Sequence, residues 1–271
     1  MTIGDSSLFE LSDQETEVAE FIRFLDGARH MESVQQQKRL ILDLLDPRSG
    51  EKVLDIGCGT GDDVRAMAEY VGPTGLSVGV DSWSAMIAEA ARRTAEMPLP
   101  VEFHLGDIHQ LDFAENTFDA VWAERLFEHL DHPKLALAEM IRVTKPGGRI
   151  VVASPDMDSN LIDHPDVIVT RKIRHFECDR RPNGRAGQRL YGWFREAGLT
   201  HVRAQAVAHI VTDYSDAVSA LGIRERAQDV REAGVITPEE CTTWLEQLDA
   251  AGQAGRFFMS TTHFIVKGRK P

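Results

Sequence analysis

The run Val53-Leu54-Asp55-Ile56-Gly57-Cys58-Gly59-Thr60-Gly61 sets an apolar strand against a turn of alternating glycines and then opens a helix. Glycine tolerates positive φ and lets a backbone lie directly against a bound molecule, so this turn predicts a ligand site at the carboxyl end of a buried strand. The spacing is G-x-G-x-G, one residue shorter than the dinucleotide fingerprint, and Asp55 stands two residues before the first glycine. In a dinucleotide site the helix N-terminus meets a pyrophosphate. A carboxylate at that strand end repels a pyrophosphate and suits an ammonium group, so the expected ligand is nucleotide-like and partly cationic.

From Lys52 onward extended and helical patterns alternate. Val53 to Ile56 reads as a strand, and Val64, Met67, Ala68 and Val71 share one face of the next helix. Gly72-Pro73-Thr74-Gly75 is a turn, Leu76 to Val80 a second strand, and Met86, Ile87, Ala90 and Ala91 mark another helix. Val101 to Leu105, Phe118 to Ala123 and Arg149 to Ser154 supply further strands, with a helix between the last two ending near Lys145-Pro146-Gly147-Gly148. Such alternation predicts a parallel sheet covered by helices on both faces.

The flanks are less regular. Ser12 and Glu15 form a capping box ahead of Val18, Phe21, Ile22 and Leu25, and Val34, Ile41, Leu44 and Leu45 mark a second helix before Pro47. Past Pro155 we expect a helix over Arg189 to Ala197 stopped by Gly198, a strand within Val202 to Val211, and a helix from Ser215 to Val230. Thr237-Pro238-Glu239-Glu240 combines a capping box with proline at the first helical position, and Phe257 to Lys267 reads as a closing strand. About 45 residues separate the last two strands, a length typical of lids.

The three cysteines, Cys58, Cys178 and Cys241, form neither a zinc pattern nor a disulfide framework, which fits a reducing compartment. The N-terminus lacks the basic and apolar regions of a secretory signal and no apolar run spans a bilayer, so the expected location is cytoplasmic, with no membrane span. A formal net charge of −13 opposes nucleic-acid binding unless a basic patch intervenes. Arg171, Lys172, Arg174, Arg180, Arg181, Arg185 and Arg189 lie close in sequence; they read as a solvated surface balancing acidic neighbours or as a seat for an anion.

Asp81 ends the second strand 20 residues past Gly61, the separation at which an acidic side chain meets a ribose diol. Asp107 follows the third strand, placed to accept from an exocyclic amine, with Ile108 beside it to press on a purine face. Cys58 reads as a small filler of the loop rather than a nucleophile, and Trp83 as packing or an adenosine wall.

With these residues in order, Lys52 to Ser154 closely resembles the class I S-adenosylmethionine-dependent methyltransferases. VLDIGCGTG, GVDSWSAMI, HLGDIHQLDF, FDAVWAERLFEHL and RVTKPGGRIVV all occur in the family's sequence order. The resemblance implies a Rossmann-like, doubly wound α/β fold. Its seven-stranded sheet would be mostly parallel with an antiparallel last strand, with N-terminal helices and a helical insertion before that strand. It implies a single methyltransferase domain over 1–271, comprising a helical cap at 1–46, a cofactor-binding core at 47–155 and a substrate-side part at 156–271 with a lid at about 212–256. By the same resemblance, the backbone of Gly57, Cys58, Gly59, Thr60 and Gly61 lies along the cofactor's methionine and ribose, beside the Asp55 carboxylate that suits its ammonium group. Asp81 holds the ribose hydroxyls, Ser82 and Met86 flank the adenosine, and Asp107 and Ile108 contact adenine. Glu124 and Arg125 meet the methionine amino group through backbone and face the substrate.

S-adenosylmethionine would then be the cofactor and S-adenosylhomocysteine the product. Methyl transfer to a carbon, nitrogen or oxygen of a small-molecule acceptor needs alignment above all. His129, soon after the fourth strand, is the candidate base or substrate ligand; His175, Tyr191, His209, Tyr214 and His263 are further candidates in the C-terminal part. His129 and His132 lack supporting ligand spacing, so no metal is expected. The sequence has neither an Asn-Pro-Pro-Tyr signature nor a Pro-Cys pair, and with its acidity this favours a small molecule such as the substrates of the ubiquinone/menaquinone-biosynthesis and natural-product tailoring enzymes it loosely resembles. A nucleic-acid methyltransferase and a non-catalytic S-adenosylmethionine-binding protein are the alternatives.

Overall fold

A computed structural model describes residues 15–219 and 221–271. Two helices, α1 (Glu15–Ala28) and α2 (Glu32–Leu45), precede β1 (Lys52–Ile56), α3 (Asp62–Val71), β2 (Leu76–Asp81), α4 (Ser84–Thr94) and β3 (Val101–Leu105). Then come β4 (Phe118–Glu124), α5 (Pro133–Val143), β5 (Thr144–Ile162), α6 (Val167–Asp179), α7 (Ala186–Glu196) and β6 (Thr200–Val211). The chain closes with α8 (Tyr214–Ser219), α9 (Ile223–Glu232), α10 (Pro238–Gln253) and β7 (Met259–Arg269).

The seven strands form one sheet in the order β3-β2-β1-β4-β5-β7-β6. β1 pairs in parallel with β2 and β4, and β7 runs antiparallel to both β5 and β6. Both faces are covered, which is why β1 reads as a nearly unbroken apolar run. Leu54, Ile56, Val121, Ala123, Ile150 and Val152 pack on one face with Leu137 and Met140 of α5 and Leu190 and Phe194 of α7. Val53, Ala120, Trp122, Val151 and Ala153 pack on the other with Ile41 and Leu45 of α2 and Met67 and Val71 of α3. Arg149 ties α2 to the sheet, its Nε donating to the Leu45 carbonyl at 2.6 Å and its fork gripping Glu51.

Three features depart from the sequence expectations. β5 does not end at Ser154; it continues to Ile162 because β7 pairs with its extension, Leu161 opposite Ser260 and Ile162 opposite Met259. The segment Ser215 to Val230 is two helices, broken at Gly222, whose φ of 61° suits glycine and interrupts helical hydrogen bonding. α6 was hidden among the basic residues: only Val169, Thr170, Ile173, Glu177 and Cys178 of it are buried. The basic stretch itself pairs largely with local acids, Lys172 with Glu240, Arg180 with Glu177 and Asp229, and Arg185 with Asp158. The Ser12 cap lies outside the described residues, whereas the Thr237 box is complete, its hydroxyl accepting from Glu240 N–H and the Glu240 carboxylate from Thr237 N–H.

The helices α6, α8, α9 and α10 make a satellite core around Trp244, Leu248 and Met259 at the end of the β5–β7–β6 half. Among the described residues no helix is long and apolar enough to cross a membrane.

Candidate functional site

Alternation along the strands brings the site's charges together. Asp55 of β1 lies in register with Trp122 of β4, and Glu124 follows two residues later on the same face. That face meets α2, whose buried row Val34, Gln37, Ile41 and Leu45 carries one polar residue. The Lys38 ammonium bridges Glu124 and Asp63 of α3 and lies 5.2 Å from the Trp122 ring centroid. Gln37 donates from Nε2 to Glu124, and its Oε1 lies 2.8 Å from His209 Nε2; the His209 ring stacks 4.0 Å from that of His263.

Burial and charge set the protonation of this cluster. Burial raises the Asp55 carboxyl well above the usual range, reinforced by Asp63, and raises Asp63 too. For Glu124 burial is outweighed by Lys38, Arg125 and Gln37, which hold its pKa down to about 2. Lys38, although burial opposes its charge, is held above the ordinary lysine range by Asp63 and Glu124. The result is a pocket able to stabilise a cation.

The glycine loop closes the other side. Gly57, Gly59 and Gly61 have φ of 75°, 51° and 73°, and the N–H groups of Gly57 and Cys58 donate to Val80 at 2.8 and 3.0 Å. A Cβ on Gly61 would stand 2.6 Å from the Phe103 ring, so the loop's last turn has room only for glycine. Asp81 braces the loop, one carboxylate oxygen accepting from Gly59 N–H and the other from Trp83 N–H, each at 2.9 Å. A carboxylate has roughly four lone-pair sites, so acceptor capacity remains for a diol. Burial raises its pKa, against the lowering effect of those backbone donors.

A cavity of about 520 Å³ lies between α1, α2 and the carboxyl ends of β1 and β4. It gathers Asp55, Gly57, Cys58, Gly59, Thr60, Glu124 and Arg125 of the expected set, and adds Lys38 and Asp63. Gly61, Asp81, Ser82, Met86, Asp107, Ile108 and His129 are not on its lining. Met86, 1% exposed, and Ile108, 6% exposed, are buried side chains that lie outside the cavity lining. Asp107 is taken up by His109, whose backbone N–H and ring donors lower its pKa. The α1 helix roofs the Asp81 end: Phe21 lies 5.4 Å from Trp83, Asp26 pairs with Arg93 at 2.7 Å and Arg29 with Asp62 at 2.8 Å. The helices of the 212–256 segment line a small cavity of about 30 Å³ beside Leu221, Arg226 and Trp244.

Burial pushes the Cys58 thiol up, which agrees with its reading as a filler. Burial, then Arg181 and Arg125, hold the pKa of His129 down to about 4, so its ring is neutral near pH 7. Its neighbour Glu128, buried and accepting from Ser154 Oγ at 2.8 Å, is pushed up to about 7 by burial. An acid whose folded pKa exceeds its unfolded one binds more protons when folded, so stability falls as pH rises from about 4.5 through about 7. Glu128→Gln keeps an acceptor for Ser154 and removes that charge. It should gain about 1–3 kcal/mol over the native protein at pH 8 and little at pH 5. Urea unfolding at the two pH values checks this; an equal change at both would contradict it.

Gln37 and Lys38 escaped sequence reading, although a glutamine inside the otherwise apolar row of α2 is itself the signal of a buried polar partner.

The family described as Methyltransferase domain (Methyltransf_31) matches residues 47–198. An uncharacterized 37.1 kDa protein in transposon TN4556 of Streptomyces fradiae is 35% identical over 93% of this chain and 72% of its own length. The demethylmenaquinone methyltransferase of Renibacterium salmoninarum is 38% identical over 45% of this chain and 49% of its own, so the match spans about half the length of that relative. Phosphoethanolamine N-methyltransferase 2 of Haemonchus contortus, solved with phosphomonomethylethanolamine and S-adenosylhomocysteine, shares the fold with a TM-score of 0.60 at 18% identity, over 95% of this chain and 58% of its own. The sheet order, the glycine loop beneath a buried carboxylate and these likenesses converge: the chain belongs to the methyltransferase domain family and is an S-adenosylmethionine-dependent enzyme.

Proposed function

We propose that the protein methylates a small-molecule acceptor by holding it in line with the methyl of S-adenosylmethionine. The observation that carries this reading is the cavity at the point where the strand order reverses between β1 and β4, lined by Asp55, the glycine loop and Glu124. Its residues fit such a cofactor, with a carboxylate pair for the ammonium end and backbone against the chain, and Asp81, which braces the loop from outside the lining, has spare acceptor capacity for the ribose. When bound, the cofactor supplies a methyl on a sulfonium, a reactive donor that needs little further activation.

The chain's own part is to align and to exclude water. Asp55, the loop backbone and Glu124 fix the donor end. α1, latched by Asp26–Arg93 and Arg29–Asp62, covers it, so we assign the described part of 1–46 as the cap over a core at 47–155. The acceptor side is the β5–β7–β6 half, where His209 and His263 stand, within 156–271. The net charge of −13, the pairing of the basic stretch with local acids and the quinone-pathway relatives favour a small molecule over nucleic acid.

Incubation with labelled S-adenosylmethionine and a low-molecular-mass bacterial extract tests the reading. Label should enter small molecules in the extract. Transfer to added RNA or DNA instead, with none to small molecules, would overturn it.

A further inference from the structure

Every acid of the cavity lining except Asp55 has a cationic partner, and among the described residues one half-buried cation of the lining has no acid. Asp62 pairs with Arg29 and Arg65, and Asp63 and Glu124 share Lys38. Asp55, nearly inaccessible at 3% exposure, is raised toward its neutral form by burial. Arg125 lines the same cavity half-buried, and among the described residues its guanidinium has no ion pair and no hydrogen bond. A guanidinium carries five donors, and leaving them unmet in a partly desolvated place is costly unless a ligand meets them. His30 and Arg39 also line the cavity, but they are exposed and water serves them.

The backbone holds Arg125 in this place against its own preference. Its φ is 52°, a left-handed conformation that costs a side-chain-bearing residue roughly 1–2 kcal/mol, and its N–H is tied to Ala153 of β5 at 2.9 Å. Strain retained at a cavity wall points toward a task for the side chain.

Position selects the task. Arg125 follows β4 at the reversal of strand order. Asp55, Asp81 and Asp107 lie at the ends of β1, β2 and β3 on one side, while β5, β7 and β6 bring His263 and His209 on the other. The positive charge of Arg125 reaches that second side, adding to burial in holding His129, His209 and His263 neutral. Glu124, the carboxylate beside it, is already held by Lys38 and Gln37, so the Arg125 guanidinium keeps its donors for a planar or tetrahedral oxyanion.

We propose that Arg125 seats an anionic group of the methyl acceptor, a carboxylate or a phosphate, and thereby selects acidic small molecules. This rests on the methyltransferase reading above. The same chemistry could be met by the carboxylate of the cofactor's own methionine moiety, so the experiment separates the two sources.

The probe is acetate, with acetamide as its uncharged isostere, titrated into full-length protein saturated with S-adenosylhomocysteine. The readout is the Nε–Hε resonance of Arg125, identified by its loss in the Arg125→Lys spectrum. Acetate should move that resonance downfield in a saturable way while acetamide leaves it in place. No saturable shift with acetate in the S-adenosylhomocysteine complex would overturn the proposal. So would a shift caused by S-adenosylhomocysteine itself that acetate reproduces only in the free protein, because the arginine would then serve the cofactor. Failure of S-adenosylhomocysteine to bind at all would instead remove the methyltransferase reading, and the acceptor assignment would fall with it.

Discussion

Lys38→Met should cost about 3–5 kcal/mol of stability at pH 7, the loss expected when one partner of a buried ion pair is removed. Lys38 is the cation shared by Glu124 and Asp63, and the Glu124 side chain is only 6% exposed. Methionine matches the stem against Trp122 but leaves two carboxylates facing each other in a low dielectric. The effect has a definite pH dependence. In the native protein Glu124 is held at about 2, so it contributes stability above its unfolded pKa of about 4.5 that is lost as pH falls toward 2. In the variant that contribution is gone, and both carboxylates escape by protonation. The gap between native and variant protein should therefore be widest near pH 7 and narrow steadily below pH 4.5. Urea unfolding across that range measures it, and a gap independent of pH would show that Lys38 acts by packing alone.

Asp81→Ala should weaken S-adenosylhomocysteine binding by about 10- to 1000-fold. The carboxylate holds the Gly59 and Trp83 N–H groups, and charge-assisted hydrogen bonds are worth about 1.5–3 kcal/mol each. The substitution acts twice: it frees the glycine loop from β2 and removes the acceptor assigned to the ribose. Asp81→Asn keeps one acceptor oxygen and should lose less than alanine. Calorimetric titration of both variants separates these effects, and an affinity unchanged by alanine would remove Asp81 from the ribose position.

The parallel half of the sheet was legible because its signals are local. Val53, Leu54 and Ile56 announce a doubly covered strand, and the glycines mark its end without reference to anything distant in sequence. The same holds for Asp55, whose orientation follows from the two-residue period of β1. What could not be read depends on partners far along the chain. β5 extends past Pro155 because Met259 and Ser260 pair with Ile162 and Leu161, about a hundred residues away. Met86 and Ile108 follow strand ends, where the resemblance sets ligand contacts, and the burial of their side chains depends on tertiary packing that sequence does not display. The Lys38–Glu124–Gln37–His209 network joins α2, β4 and β6, and only Gln37 betrays it, as a polar residue in an apolar row. The desolvation of His129, which keeps its ring neutral near pH 7, is likewise invisible in sequence.

The central claim is that the cavity beneath α1 and α2 receives S-adenosylmethionine rather than a dinucleotide. Calorimetric titration of the full-length protein with S-adenosylhomocysteine and, separately, with NAD tests it most directly. Saturable binding of S-adenosylhomocysteine at one site per chain, with none of NAD, is the predicted result. Binding of NAD with none of S-adenosylhomocysteine would contradict the account.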